Sequence, residues 1–247
     1  MISRLDAQFG RVMDAVAPYK DNTYTMFFTD HGEYLGDFGL VEKWPAGVSD
    51  CLVHEPLMIS GPGLPRGDVN DALCEMVDLV PTVFELLGIK EHFPHNGKSL
   101  VPTMLQGGAH KEYAFSEGGF LLSEEPFLEA GTFPYDIKGR LQHEQTELVG
   151  KVVSCRDREW TYVYRLYEPA ELYSRADLGE RHNLAGLPQY AAVEAKFREV
   201  ILRWMVETSD LLPWKKDNRV PPVALPTPRE QANQRLRLAD SSDRLLV

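Results

Sequence analysis

Asp30-His31-Gly32, with Lys43 thirteen residues after the aspartate, is the set of residue types in this chain best suited to chemistry. Apolar residues run from Met26 to Phe28 and give way abruptly to a carboxylate, an imidazole and a glycine. A carboxylate beside an imidazole can hold a divalent cation, and a lysine on the following loop can reach an anion bound to it. The same residues also suit an ordinary turn, because Asp and Gly both favour one. A single lysine is by default a solvated side chain. His54 precedes a second apolar run, where it faces either a pocket or the packing of its neighbours. Glu33 and Tyr34 follow the turn and are weaker candidates, since exposed loop residues are the simpler reading.

Placing these groups takes a strand and a turn. Tyr24 to Thr29 is short, aromatic-rich and β-branched, which predicts a buried strand with Asp30 at its carboxyl end. In open α/β sheets that end is where ligands bind. Pro56 to Ser60 predicts the next buried strand. Ahead of both, Ile2, Leu5, Phe9, Val12 and Val16 recur at steps of three and four, the pattern of a helix with one buried face. Asp78 is placed to cap a helix that carries Pro81 in its first turn and stops at Gly88. Residues from Val101 to Gln145 are rich in Gly, Pro and acidic side chains without a sustained period and read as loops. Val149 to Cys155 and Glu159 to Leu166 predict an antiparallel hairpin, and Val193, Phe197, Val200, Ile201 and Trp204 a helix covering one face of it. Beyond Trp214 a proline cluster at Pro221, Pro222, Pro226 and Pro228 leads into a polar tail, read as an ordered arm or as disorder.

Composition excludes some classes of function. The formal net charge of −11 and pI near 5.1 disfavour a nucleic-acid surface, which needs a basic stripe. An anionic substrate is still compatible, because one lysine and one cation dominate the potential inside a cleft. No apolar run approaches the length of about eighteen residues that a membrane span requires. Three cysteines form neither a disulfide framework nor a zinc pattern. Oligomeric state and compartment stay open.

The order of motifs resembles the sulfatases of the alkaline phosphatase superfamily, in particular the branch of the iduronate and choline sulfatases. That resemblance rests on Thr29, Asp30, His31, Gly32, Gly36, Asp37, Gly39, Leu40 and Lys43, then on Pro56-Leu57-Met58-Ile59-Ser60-Gly61-Pro62-Gly63. Asp78-Leu79-Val80-Pro81-Thr82, Gly97-Lys98-Ser99-Leu100, Glu171-Leu172-Tyr173 and the pair Asn183-Leu184 continue it in family order. One departure is Leu178, which stands where the family has Asp-Pro after Glu-Leu-Tyr.

The resemblance implies an α/β fold: part of an alkaline-phosphatase-like α/β sandwich, followed by a small C-terminal antiparallel sheet with a covering helix. It implies residues 1–110 as the C-terminal half of the catalytic domain, 111–212 as an α+β subdomain and 213–247 as a Pro-rich tail. Asp30 and His31 would be metal ligands, for Ca²⁺ with Mg²⁺ or Mn²⁺ as alternatives. His31 has a second possible role, a hydrogen bond to the ester. Lys43 would bind a sulfate oxygen and stabilise the transition state, with His54 near the substrate. The substrate would be a sulfated small molecule or sugar. The family's nucleophile is a formylglycine made from Cys or Ser in Cys/Ser-x-Pro-x-Arg, and none of the 247 residues forms that motif. The first helix begins at residue 1 or 2 with no capping segment before it, whereas the family carries this run in mid-domain. The expectation is therefore a C-terminal portion that is inactive by itself. Two alternatives stand beside it: a phosphonate or phosphate ester hydrolase of the same superfamily, and a noncatalytic binding protein.

Overall fold

A computed structural model describes residues 1–128, 131–133, 135–210, 226, 227, 229, 230 and 233. In chain order the elements are α1 (Ile2–Val16), β1 (Thr25–Phe28), α2 (Asp50–Val53), β2 (Leu57–Ser60), α3 (Leu79–Leu86) and α4 (Val101–Gln106). They continue with β3 (Ala114–Gly118), α5 (Asp136–Glu144), β4 (Val152–Arg156), β5 (Trp160–Arg165), β6 (Glu171–Ser174) and α6 (Ala191–Thr208). The fold is mixed α/β with antiparallel pairing: β1 and β2 form a ribbon, and the other four strands form a sheet in the order β3-β4-β5-β6. The chain divides into two compact units, the first of Met1–Asp71, Ser116–Val153 and Arg165–Pro169, the second of the remainder. Most of the Pro-rich tail read from the sequence lies outside the described residues.

In the first unit, the strand expected from Tyr24 to Thr29 is present as β1, and the expected second strand is β2. They pair antiparallel, with Thr25 opposite Ser60 and Phe28 opposite Leu57. Neither is the buried strand that its composition predicts: Phe28 and Met58 are exposed. Two strands cannot cover both faces of each other, so alternate side chains stay in solvent. The helix α1 also forms as its period predicts, and Phe9 packs edge-on against Phe27 with ring centroids 5.0 Å apart. Its apolar face is nonetheless not buried, with Ile2, Leu5 and Val12 exposed at 82%, 64% and 58%. Periodicity reports which face is apolar and says nothing of what covers it. The core of this unit is built from Tyr34, Ala46, Val48, Leu52, Val149 and Val152.

The region from Val101 to Gln145, read as loops, holds α4, β3 and α5. Within the second unit, the expected hairpin closes where Asp157 N–H donates to Trp160 O at 3.0 Å, while its Oδ1 accepts from the Glu159 and Trp160 N–H groups. Strand β6 pairs antiparallel with β5, Tyr162 standing opposite Leu172. Helix α6 covers this surface as expected. Phe197 is fully buried against Tyr162 and Tyr113, and Trp204 stacks on Phe115 at 4.6 Å with 8° between the rings.

Asp78 differs from its expected part as a helix cap. Its side chain makes no capping bond to α3. The carboxylate is instead a fully buried hub, accepting from Glu75 N–H at 2.9 Å, Lys98 N–H at 2.8 Å and Lys111 Nζ at 2.8 Å. His110 Nε2 lies 3.2 Å from it and completes the set. A buried carboxylate survives only with such partners.

Candidate active site

Strand β1 delivers Thr29, and the chain then turns through Asp30, His31 and Gly32. The turn is fixed from behind by Gly32 N–H to Leu52 O at 2.9 Å and Glu33 N–H to Cys51 O at 3.1 Å. Gly32 is required here: a Cβ would sit 2.0 Å from Cys51 O, inside any tolerable contact. The imidazole of His31 has its Nδ1 2.8 Å from Gly32 O. Since a carbonyl only accepts, Nδ1 carries a proton, and the Lys43 ammonium facing Nε2 can hydrogen-bond it only through a lone pair on that nitrogen.

Two side chains approach that nitrogen. Lys43 Nζ lies 3.1 Å from His31 Nε2, and Asp30 Oδ2 lies 3.5 Å from the same atom. The Asp30 side chain is 86% exposed and that of His31 38%, so both face outward where a solute can arrive. Asp30, His31 and Lys43 are thus brought together as the spacing suggests. Among the described residues, no hydrogen bond or ion pair joins His54 to any of them; it is exposed at the C-terminal end of α2. Tyr34 is buried and packs edge-on to Phe38, so it is a core residue of the loop.

The loop that carries Lys43 is tightly wound. Leu35, Phe38 and Glu42 have φ of 49°, 55° and 64°, a left-handed backbone that costs a non-glycine residue about 1–2 kcal/mol. The loop is closed by Gly36 N–H to Leu40 O at 2.8 Å and Tyr34 N–H to Glu42 O at 3.3 Å. Strain of this kind persists where the surroundings fix it. Here α5 does so: Lys138 donates to Lys43 O and to Glu42 Oε2, and its Nζ lies 5.7 Å from the centre of the Trp44 ring. Trp44 Nε1 in turn donates to Leu148 O at 2.8 Å. The backbone of Lys43 is therefore held at the residue itself and at both of its neighbours.

Glu55 is a second residue that sequence reasoning missed. Its Oε2 accepts the Thr29 hydroxyl, immediately before Asp30. Its Oε1 is buried without a hydrogen-bond partner and lies 3.1 Å from the position a Gly32 Cβ would take. The carboxylate thus fills the inner side of the Thr29–Gly32 turn. Asp30 and His31 offer an oxygen and a nitrogen donor to a cation, but no group of three His, Cys, Asp or Glu residues is gathered closely enough to hold one among the described residues. A separate cavity of about 200 Å³ at the start of α6, lined by Gly186, Pro188, Glu194 and Arg198 among others, contains none of these groups.

Comparison with known proteins gives the chain its relatives. The sulfatase family model matches residues 1–89, which include the whole turn and the Lys43 loop. A choline-sulfatase of Rhizobium meliloti is 30% identical over 219 residues, covering 85% of this chain and 37% of that protein. The crystal structure of a phosphonate monoester hydrolase of Agrobacterium radiobacter superposes with a TM-score of 0.73 at 27% identity, over 92% of this chain and 44% of the other. A 2-O GAG sulfatase structure gives a TM-score of 0.66 at 25% identity, over 89% and 43%. The chain spans less than half the length of the curated relatives it matches.

Proposed function

Because the chain belongs to the sulfatase and alkaline phosphatase superfamily, we propose that it serves sulfuric-ester hydrolysis, with Asp30 and His31 holding a divalent cation and Lys43 a sulfate oxygen. The observation that carries this reading is the meeting of Lys43 Nζ and Asp30 Oδ2 at the lone-pair side of His31 Nε2, at 3.1 and 3.5 Å. A carboxylate oxygen and a neutral imidazole nitrogen suit Mg²⁺, Mn²⁺ or Ca²⁺, with Ca²⁺ favoured by the resemblance. The orphaned oxygen of Glu55 behind the turn fits a site that is short of positive charge. A cation bound there would draw off negative charge from the ester oxygens.

The remaining work falls to groups of this chain. His31 keeps its proton on Nδ1, against Gly32 O, so that Nε2 stays a donor of electrons and does not compete as a proton source. Lys43, whose Nζ lies 3.1 Å from Nε2, would contact a sulfate oxygen and stabilise the charge that develops on it. Lys138 and Trp44 keep the Lys43 loop in its strained form, so little ordering entropy is lost on binding. Asp30 also fixes the turn's charge. No Cys/Ser-x-Pro-x-Arg segment is present in the 247 residues, and the chain by itself is expected to bind oxyanion without turning over an ester.

The substrate class fitting this reading is a sulfated small molecule or sugar, a class to which the 2-O GAG sulfatase neighbour belongs by its description. A second reading, a phosphonate or phosphate monoester as substrate, is favoured by the phosphonate monoester hydrolase superposition. Calorimetric titration with inorganic sulfate and with methylphosphonate, in the presence of Ca²⁺, tests both. Sulfate binding that weakens roughly tenfold or more in Lys43→Met supports the sulfatase reading. Preferential binding of the phosphonate favours the second, and sulfate affinity indifferent to Lys43→Met contradicts the role given to that lysine.

A further inference from the structure

We propose that the exposed apolar side chains of the Lys43 loop form the seat for the alcohol part of the ester, so that the substrate is the sulfate monoester of an apolar alcohol. The inference rests on the reading that Lys43 binds a sulfate oxygen, and goes beyond it by choosing an apolar small molecule over a sugar. Three observations carry it. The first is composition: the loop is exposed from Leu35 to Val41, and that stretch holds Leu35, Phe38, Leu40 and Val41 with Asp37 as its one charged residue. Scattered apolar residues on a surface need no explanation, whereas a run of them beside a polar site marks a place that receives a ligand.

The second observation is that folding does not account for two of these residues. Leu35 and Phe38 hold a left-handed backbone, with φ of 49° and 55°, where glycine or asparagine is easier. Leu35 is also 82% exposed, so its side chain gains no burial to offset that strain. Phe38 keeps an edge-on contact with Tyr34 at 6.0 Å and is otherwise about half exposed. Strain of this kind clusters where a chain binds or acts. The third observation is continuity with a second element of the same unit. Lys138 of α5 donates to Glu42 Oε2 and to Lys43 O, and the residues just before these partners, Val41 and Ile137, are both exposed aliphatics. The apolar surface thus adjoins Lys43 from the loop and from α5. An ion with one negative head and an apolar body complements an ammonium bordered in this way. A sugar ester would set hydroxyls against carbon, where they lose their hydrogen bonds to water.

The test is an NMR titration of the full chain, in Ca²⁺-containing buffer, with inorganic sulfate, methyl sulfate, phenyl sulfate and a glucose sulfate, followed at the backbone amides of Leu35 to Lys43. Phenyl sulfate is expected to bind about tenfold more tightly than methyl sulfate, and the glucose sulfate no more tightly than methyl sulfate. Leu35→Asn and Val41→Ser each change a side chain that stands in solvent, and so separate binding from folding. Asparagine tolerates the left-handed backbone, so Leu35→Asn should leave the urea midpoint unchanged or raise it. Both variants should lose about threefold or more of the phenyl sulfate affinity and keep the affinity for inorganic sulfate. Lys43-dependent sulfate binding with phenyl sulfate no tighter than methyl sulfate, or with the glucose sulfate tightest, overturns the apolar seat alone. So does phenyl sulfate affinity that both variants leave within about twofold. No sulfate binding, or binding indifferent to Lys43→Met, overturns the reading of Lys43 and the seat with it.

Discussion

At the scale of single residues, the site depends on close approach as much as on functional groups. Gly32 lets the Asp30–His31 turn lie directly on the backbone of Cys51, and any side chain there collides with a carbonyl that has nowhere to move. Gly32→Ala is expected to lower stability by about 2–3 kcal/mol, the range of an overpacked interior site. Gly10, in α1 with nothing within 4 Å, gives the matched comparison. Gly10→Ala should raise stability by about 0.5–1 kcal/mol, because Ala has less unfolded-state entropy to lose. Urea denaturation of the two variants checks both signs. Asp30, His31 and Lys43 were legible in the sequence because they lie within one strand-turn-loop segment. Glu55 and Lys138 were not. The first pairs with Thr29 across 26 positions and the second with Lys43 across 95, and local composition carries no trace of such partners.

Whole elements were legible where their signal is local and illegible where it is relational. The hairpin around Asp157 could be read from two β-rich runs and a polar turn, and α6 from its period, which correctly put Phe197 and Ile201 inside. By contrast, α5 went unread because its polar sequence has little period, although it carries the lysine that steadies the Lys43 loop. Asp78 looked like a cap, since a cap needs only an Asp before a helix. Its real partners, Lys98 and His110, lie 20 and 32 residues further on. Burial alone would raise its carboxyl pKa. The His110 hydrogen bond and the Lys111 charge outweigh burial and hold it below the ordinary value near 3.8. A carboxyl depressed in the folded state contributes stability that is present above its unfolded pKa and is lost as the pH falls through the folded one. Stability should therefore decline below about pH 4. Asp78→Asn should lose about 3–5 kcal/mol near neutrality, because it takes the carboxylate from the buried His110 and the part-buried Lys111, and should show a flatter acid decline. Thermal denaturation between pH 3 and 7 for both proteins measures the two effects together. Equal acid profiles would remove Asp78 as their source.

For the molecule as a whole, the acidic chain and its local site pull in opposite directions. A net charge of −11 repels an oxyanion at long range, whereas Lys43, with the cation proposed above, would dominate at short range. The sulfatase fold class was legible because its motifs keep their order over most of the chain, and the family match over residues 1–89 and the superpositions bear it out. What covers the exposed apolar face of α1 was not legible, for the reason that a period describes one surface of a contact and not its partner. The most direct test of the account is a crystal structure of this chain grown with Mn²⁺ and sulfate, read at the manganese absorption edge. The account predicts an anomalous peak within about 2.5 Å of an Asp30 carboxylate oxygen and of His31 Nε2, with Lys43 Nζ moved from the imidazole to a sulfate oxygen. Ordered Asp30 and His31 with no peak between them, and Lys43 still bound to Nε2, would contradict it.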